Sequence, residues 1–156
     1  MTETIVVQVL TGFFAVVAAF GSVYLSNQFE KKRKERVIRN ALVQEVQTIL
    51  YFLSNHDYLN KLAELQEGNF LVIEERVPVH YFSVYEALLS DIGFLRRTEV
   101  SDLIYFYTVA KDVGRDMILH TSSVPLSDAK TKVYYMMKHN ELLNAIAFGN
   151  KFVKES

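Results

Sequence analysis

The sequence contains no cysteine. That excludes disulfide staples, thiolate nucleophiles and Cys-ligated metal centres. Two prolines and six glycines in 156 residues leave few points at which a helix must stop, and favour long helices over many short strands. Motifs with known chemical mechanics are also missing. There is no GxxxxGK[ST] phosphate loop, no GxGxxG, no HExxH and no GxSxG. The histidines, His56, His80, His120 and His139, share no i,i+3 or i,i+4 spacing, so no helical ligand pair is encoded. His56-Asp57 is the only adjacent His–carboxylate pair. Neighbouring positions on a helix do not face each other, so the pair reads as a polar turn. The expectation is a non-enzyme with no catalytic residue, no metal and no cofactor. The competing reading is an enzyme whose groups converge only in three dimensions.

Charge is nearly balanced, at a formal net -1, but unevenly placed. Of 17 Lys+Arg, six lie between 31 and 39, which leaves 11 from residue 40 onward; of 18 Asp+Glu, three lie before residue 40, which leaves 15, so the body is net -4. An acidic body on a basic collar does not suggest a nucleic-acid binder.

Charge is absent altogether from Ile5 to Leu25, IVVQVLTGFFAVVAAFGSVYL. At about 1.5 Å per residue this run makes roughly 31 Å of helix, the thickness of a bilayer's hydrocarbon core. A signal peptide would carry a positive n-region and a shorter apolar stretch. Here only Glu3 is charged before the run, although Ala19-Phe20-Gly21 resembles a cleavage site. A buried core helix this long without a charged face is uncommon in a small chain. The sequence therefore predicts a retained single-pass membrane span.

Basic residues stay on the cytoplasmic side of a span. Lys31, Lys32, Arg33, Lys34, Arg36 and Arg39 follow the run and none precedes it. This orients the N-terminus outward and the body into the cytoplasm, at the plasma (inner) membrane. The same cluster suits contact with anionic lipid. The predicted divisions are an external N-terminus at 1–4, the span at 5–26, a basic neck at 27–40 and a cytoplasmic bundle at 41–156. Within the span, Gln8, Gly12, Ala15, Ala19 and Ser22 lie on one small and polar stripe. Small residues let helix backbones approach in lipid, so the stripe predicts homo-oligomerisation or pairing with another membrane helix.

Beyond the neck the apolar spacing is helical. Helix one is expected to continue through Ile38, Ala41/Leu42, Val46 (or Glu45), Ile49 and Phe52/Leu53. It weakens at Asn55-His56-Asp57, resumes through Tyr58, Leu62 and Leu65, and stops at Gly68-Asn69. Residues 70–82 are β-prone and hold Pro78, so an extended crossover or short strand pair is expected. Ser83-Val84-Tyr85-Glu86 matches a capping box that opens a short helix to Ile92. Thr98-Glu99 is expected to cap the next helix, with Val100, Leu103, Tyr107, Ala110, Gly114 and Met117 inward and Ile104, Phe106 and Val113 widening that face. After the connection Ser122–Pro125, Ser127-Asp128 opens a last helix with Ala129, Val133, Met136, Asn140, Leu143 and Ala147 on one stripe, and Leu142, Ile146, Phe148 and Phe152 beside it. The fold class is all-α: a single transmembrane helix continuing into a cytoplasmic antiparallel helical bundle.

The paired aromatics cannot all face one core, because successive helix residues lie about 100° apart. Tyr105, Tyr107, Tyr134 and Tyr135 are the candidates for a surface that docks an unknown cytoplasmic protein.

The segment Tyr81–Ser90 through Gly93, with Leu103 and Tyr105-Phe106-Tyr107, resembles a pattern found in uncharacterised single-pass proteins of bacteria and their phages. The resemblance implies a helical body at the inner membrane and carries no catalytic residues. The expected function is a membrane-tethered interaction module, an adaptor, sensor or assembly component. The competitor is an oligomerising effector that perturbs the membrane in a bacterial or phage conflict system.

Overall fold

A computed structural model describes the backbone of residues 2–67, 77–120 and 129–155, and side chains at residue 14 and over 16–67, 77–113 and 129–155. Among the described residues the chain is all-α. Its helices are α1 (Thr2–Asn55), α2 (Tyr58–Glu67), α3 (Ser83–Leu88), α4 (Arg97–His120) and α5 (Ala129–Lys154), with 3-10 turns at Val79–Phe82 and Ile92–Phe94. The chain forms two compact units, Met1–Val37 and Ile38–Ser156.

The first unit is the N-terminal part of α1. No proline interrupts it, and the helix is continuous. Apolar side chains are exposed at Phe14, Val16, Val17, Phe20, Val23, Leu25 and Phe29. Ser22 donates its hydroxyl to the Ala19 carbonyl at 2.8 Å, one turn back in its own helix. Among the described residues no helix is long and apolar enough to cross a membrane. The side chains of residues 5–13 and of Ala15, within the uncharged run, lie outside that description.

The second unit has one core. Helix α1 supplies Ile38, Leu42, Val46, Ile49 and Leu53, α2 supplies Tyr58, Leu62 and Leu65, and α4 supplies Leu103, Phe106, Tyr107, Ala110 and Val113. These are the inward positions that the helical spacing predicts. The break between α1 and α2 falls where the pattern weakens. Asp57 adopts φ 52°, a left-handed conformation that Asp tolerates better than most residues. Its carbonyl accepts the amide of Lys61 at 3.0 Å, and its carboxylate accepts Asn60 Nδ2 at 2.8 Å.

Residues 79–82 form a 3-10 turn in place of the expected extended crossover or short strand pair. Residues 70–76, the Gly68-Asn69 stop, Gly114, Met117, Ser122–Pro125 and Ser127-Asp128 lie outside the described side chains or segments. The all-antiparallel arrangement is corrected. Helices α4 and α5 are antiparallel: Asp102 pairs with Lys151 while Tyr105, further along, donates to the Glu141 carbonyl, earlier in α5. Helices α1 and α4 run the same way, since Arg39 meets Glu99 and Glu45 meets Tyr107. Helix α4 thus begins beside the Arg39–Glu45 stretch of α1.

Helix α5 buries the face opposite the expected stripe, a face that includes Leu142 and Phe152, expected to sit beside that stripe. Ala129, Val133, Met136, Asn140, Leu143 and Ala147 are all exposed, while Tyr135, Leu142, Ala145, Gly149 and Phe152 are buried. Both sets recur at spacings of three and four, so periodicity fits either. Volume and close approach decide. A Cβ on Gly149 would lie 2.8 Å from Phe106 Cε2 and 3.3 Å from Leu50 Cδ2. That position admits α4 and α1 to near contact only because it lacks a side chain.

Candidate functional site around Glu45

The densest polar constellation of the body centres on Glu45 of α1. Glu45 is 7% exposed and sits in the apolar stripe between Leu42 and Ile49. Burial of an unpaired carboxylate would be prohibitive, so its partners define the local structure. Oε1 accepts the backbone amide of Val84 at 2.7 Å. Oε2 accepts the amide of Tyr85 at 2.9 Å and the hydroxyl of Tyr107 at 2.7 Å.

These bonds replace the expected capping box. Val84 and Tyr85 occupy the first turn of α3, whose amides have no partner within the helix. The carboxylate that satisfies them comes from α1, not from Glu86. The Ser83 hydroxyl donates instead to the His80 carbonyl at 2.9 Å. Glu86 is drawn away to Lys111 Nζ at 2.7 Å. Helix α3 ends at Leu88, short of the expected Ile92, and a 3-10 turn follows at Ile92–Phe94.

Aromatic rings close over the carboxylate. Tyr85 and Tyr107 stack with centroids 3.9 Å apart and planes 15° apart, and Phe82 meets Tyr107 edge-on at 6.2 Å. Lys111 Nζ lies 5.2 Å from the Phe82 centroid and 5.8 Å from that of Tyr85. Burial, then the hydrogen bond to Glu45 and the charges of Glu45 and Tyr85, raise the Tyr107 phenol far above its usual range. Burial also raises Tyr85, and the nearby Lys111 ammonium partly offsets this.

A second buried acid works the same way. Glu99 is 7% exposed. Its carboxylate pairs with Arg39 through two bonds, Nη1–Oε1 at 2.7 Å and Nη2–Oε2 at 2.8 Å. Oε2 also accepts the amide of Arg96 at 3.1 Å, which caps α4. The cap is thus Glu99 reaching back three residues, while Thr98 is exposed inside the helix. Arg39, expected among the basic neck residues, belongs to the body. Lys31, Lys32, Arg33, Lys34 and Arg36 are exposed.

The four candidate tyrosines do not share an outward face. Tyr107 and Tyr135 are buried at 1% and 2%, and Tyr105 and Tyr134 are half-buried. Tyr105 packs edge-on against Phe148 at 5.5 Å. Of the stripe residues, Ala19 and Ser22 are exposed on α1, while the side chains of Gln8, Gly12 and Ala15 lie outside the described residues.

Beside Glu45 an open cleft of about 240 Å³ is lined by Ala41, Gln44, Thr48, His80 and Tyr81. The carboxylate itself is occupied by three donors, which leaves it a bracing role among α1, α3 and α4. Among the described residues no group of three His, Asp or Glu is placed to hold a metal ion. The sequence pattern placed Glu99 at the cap of α4 but not its pairing with Arg39, and it did not single out Glu45 as an organising residue. The available signal was an acid at a core-facing position, which must recruit donors from elsewhere.

No family model, curated protein or solved structure matches this chain.

Proposed function

We propose that the protein is a membrane-tethered helical interaction module, with residues 5–26 as a single span and the helical body at the cytoplasmic face. One observation carries the reading: α1 exposes an uncharged surface on every side, then turns basic. Val16, Val17, Phe20, Val23 and Leu25 are exposed and at 100° per residue cover an arc of about 200°; the remaining arc holds Ala18, Ala19 and Ser22, also exposed and uncharged. A helix that is apolar all round is stable only when something apolar surrounds it. The exposed cluster Lys31–Arg36 then suits the headgroup layer on the cytoplasmic side. In the body, the buried acids are committed to bracing helices, which favours a scaffold over a catalyst.

Absence of cysteine makes the test direct. Single cysteines at Thr2 and at Glu155 would be labelled in intact cells with an impermeant maleimide, alongside alkaline extraction of the membranes. The reading expects resistance to extraction, labelling at Thr2, and labelling at Glu155 only after permeabilisation. Extraction into the soluble fraction, or the reverse labelling pattern, overturns it.

A further inference from the structure

Helix α5 carries a second heptad seam, opposite the one buried in the bundle. Ala129, Val133, Met136, Asn140, Leu143 and Ala147 recur at alternating spacings of four and three, and all six are exposed. In heptad terms Val133, Asn140 and Ala147 occupy a, and Ala129, Met136 and Leu143 occupy d. The flanking e and g positions between Val133 and Ala147 are Met137, His139, Asn144 and Ile146, none an Asp, Glu, Lys or Arg. Val133, Met136, Met137 and Leu143 are each 42–55% exposed. The ends differ: Lys130, Lys132, Lys151 and Lys154 bound this uncharged face.

We infer that this face of α5 is a homodimer interface, in which two copies of the chain pair as a parallel, in-register two-stranded coiled coil centred on Asn140. The occupant is a second copy because the seam is complementary to itself. An Asn at an a position specifies a parallel dimer by meeting its own equivalent, where each amide both donates and accepts. In an antiparallel pair a faces d, so Asn140 would lie against Met136 or Leu143 with its amide unpaired. An unrelated apolar helix would strand that amide in the same way. The neutral e and g positions impose no repulsion between identical chains. Helix formation adds no cost, since α5 is already ordered by its packing on α2 and α4. The inference stands independently of the membrane reading.

The full-length chain, in the membranes or detergent in which it is purified, tests this by disulfide cross-linking. Single cysteines replace Val133, Met136, Asn140 and Leu143, with Gln47→Cys on the exposed side of α1 as control. A disulfide needs Cα atoms within about 7 Å. All four seam positions are expected to link to themselves, and Gln47→Cys is not. Leu143→Glu and, separately, Val133→Lys, placed in the Met136→Cys chain, which keeps Asn140, should each reduce linkage about tenfold or more with helix content and melting temperature unchanged. Linkage at Asn140→Cys alone overturns the parallel register. No linkage at any seam position, linkage at Gln47→Cys equal to the seam's, or insensitivity to both charged variants overturns the interface.

Discussion

The Tyr107 hydroxyl donates to Glu45 Oε2 at 2.7 Å, across a separation of 62 residues. Through that bond a carboxylate on α1 ties α4, and through two backbone amides it caps α3. Three helices meet at one acid.

Removal of that acid should therefore cost more than removal of an ordinary cap. Glu45→Ala strands two amides and a hydroxyl, and a buried group left unpaired costs about 1–3 kcal/mol. A loss of about 3 kcal/mol or more is expected in urea unfolding. Ser83→Ala, at the exposed residue first read as the cap, should cost under about 0.5 kcal/mol. Equal losses would contradict the assignment of the cap to Glu45.

Alkaline stability should report on Tyr107. Its pKa is raised in the folded state above the ordinary value of 10.0. The unfolded chain then loses the proton first as pH rises. The stabilisation is whole below pH 10 and declines above it, toward the folded-state value. Tyr107→Phe should be less stable at neutral pH, yet show a shallower decline between about pH 10 and 11. An unchanged slope would mean that Tyr107 ionises alike in both states.

Gly149→Ala sets two effects against each other. Alanine favours a helix over glycine by about 0.8–1 kcal/mol. The new Cβ, however, would sit 2.8 Å from a ring carbon of Phe106, itself 1% exposed. Overpacking of this kind costs about 1–3 kcal/mol, so a net loss is expected. Phe106→Leu should make the two changes non-additive, with the double variant more stable than the sum of the singles. Additive losses would separate the two residues.

Arg39 should behave as part of the body. Breaking a buried ion pair from one side costs about 3–5 kcal/mol. Arg39 and Glu99 side chains are 13% and 9% exposed, so Arg39→Gln should cost a large part of that, measured by thermal or urea unfolding. On the proposed membrane reading, the same variant should leave membrane association unaltered. Reversal of Lys31, Lys32, Arg33 and Lys34 to Glu should do the opposite, disturbing orientation and sparing the fold.

Helical class was legible because apolar spacing is a local property. The inward residues of α1, α2 and most of α4 follow directly from it, as does the weak point at Asn55–Asp57. The caps were not legible in the same way. Ser83 and Glu86 form a capping-box pattern in sequence, but a carboxylate forty residues earlier, on a helix packed alongside, takes the first-turn amides of Val84 and Tyr85. Lys111 meanwhile offers Glu86 a partner on α4. Competition between local and distant partners is not written in a local pattern.

By itself the sequence determined a chain of long helices, an uncharged run with a basic border, and a body without thiol chemistry. Those follow from composition and from periods of three and four, which need no knowledge of neighbours. Tertiary structure decided which of two heptad faces of α5 turned inward, and which carboxylate capped which helix. Both choices depend on what arrives from other helices: the Phe106 ring that only Gly149 can admit, and the three donors that converge on Glu45. Packing volume and the pairing of buried charge are properties of the assembled body, so they appear only once the helices meet.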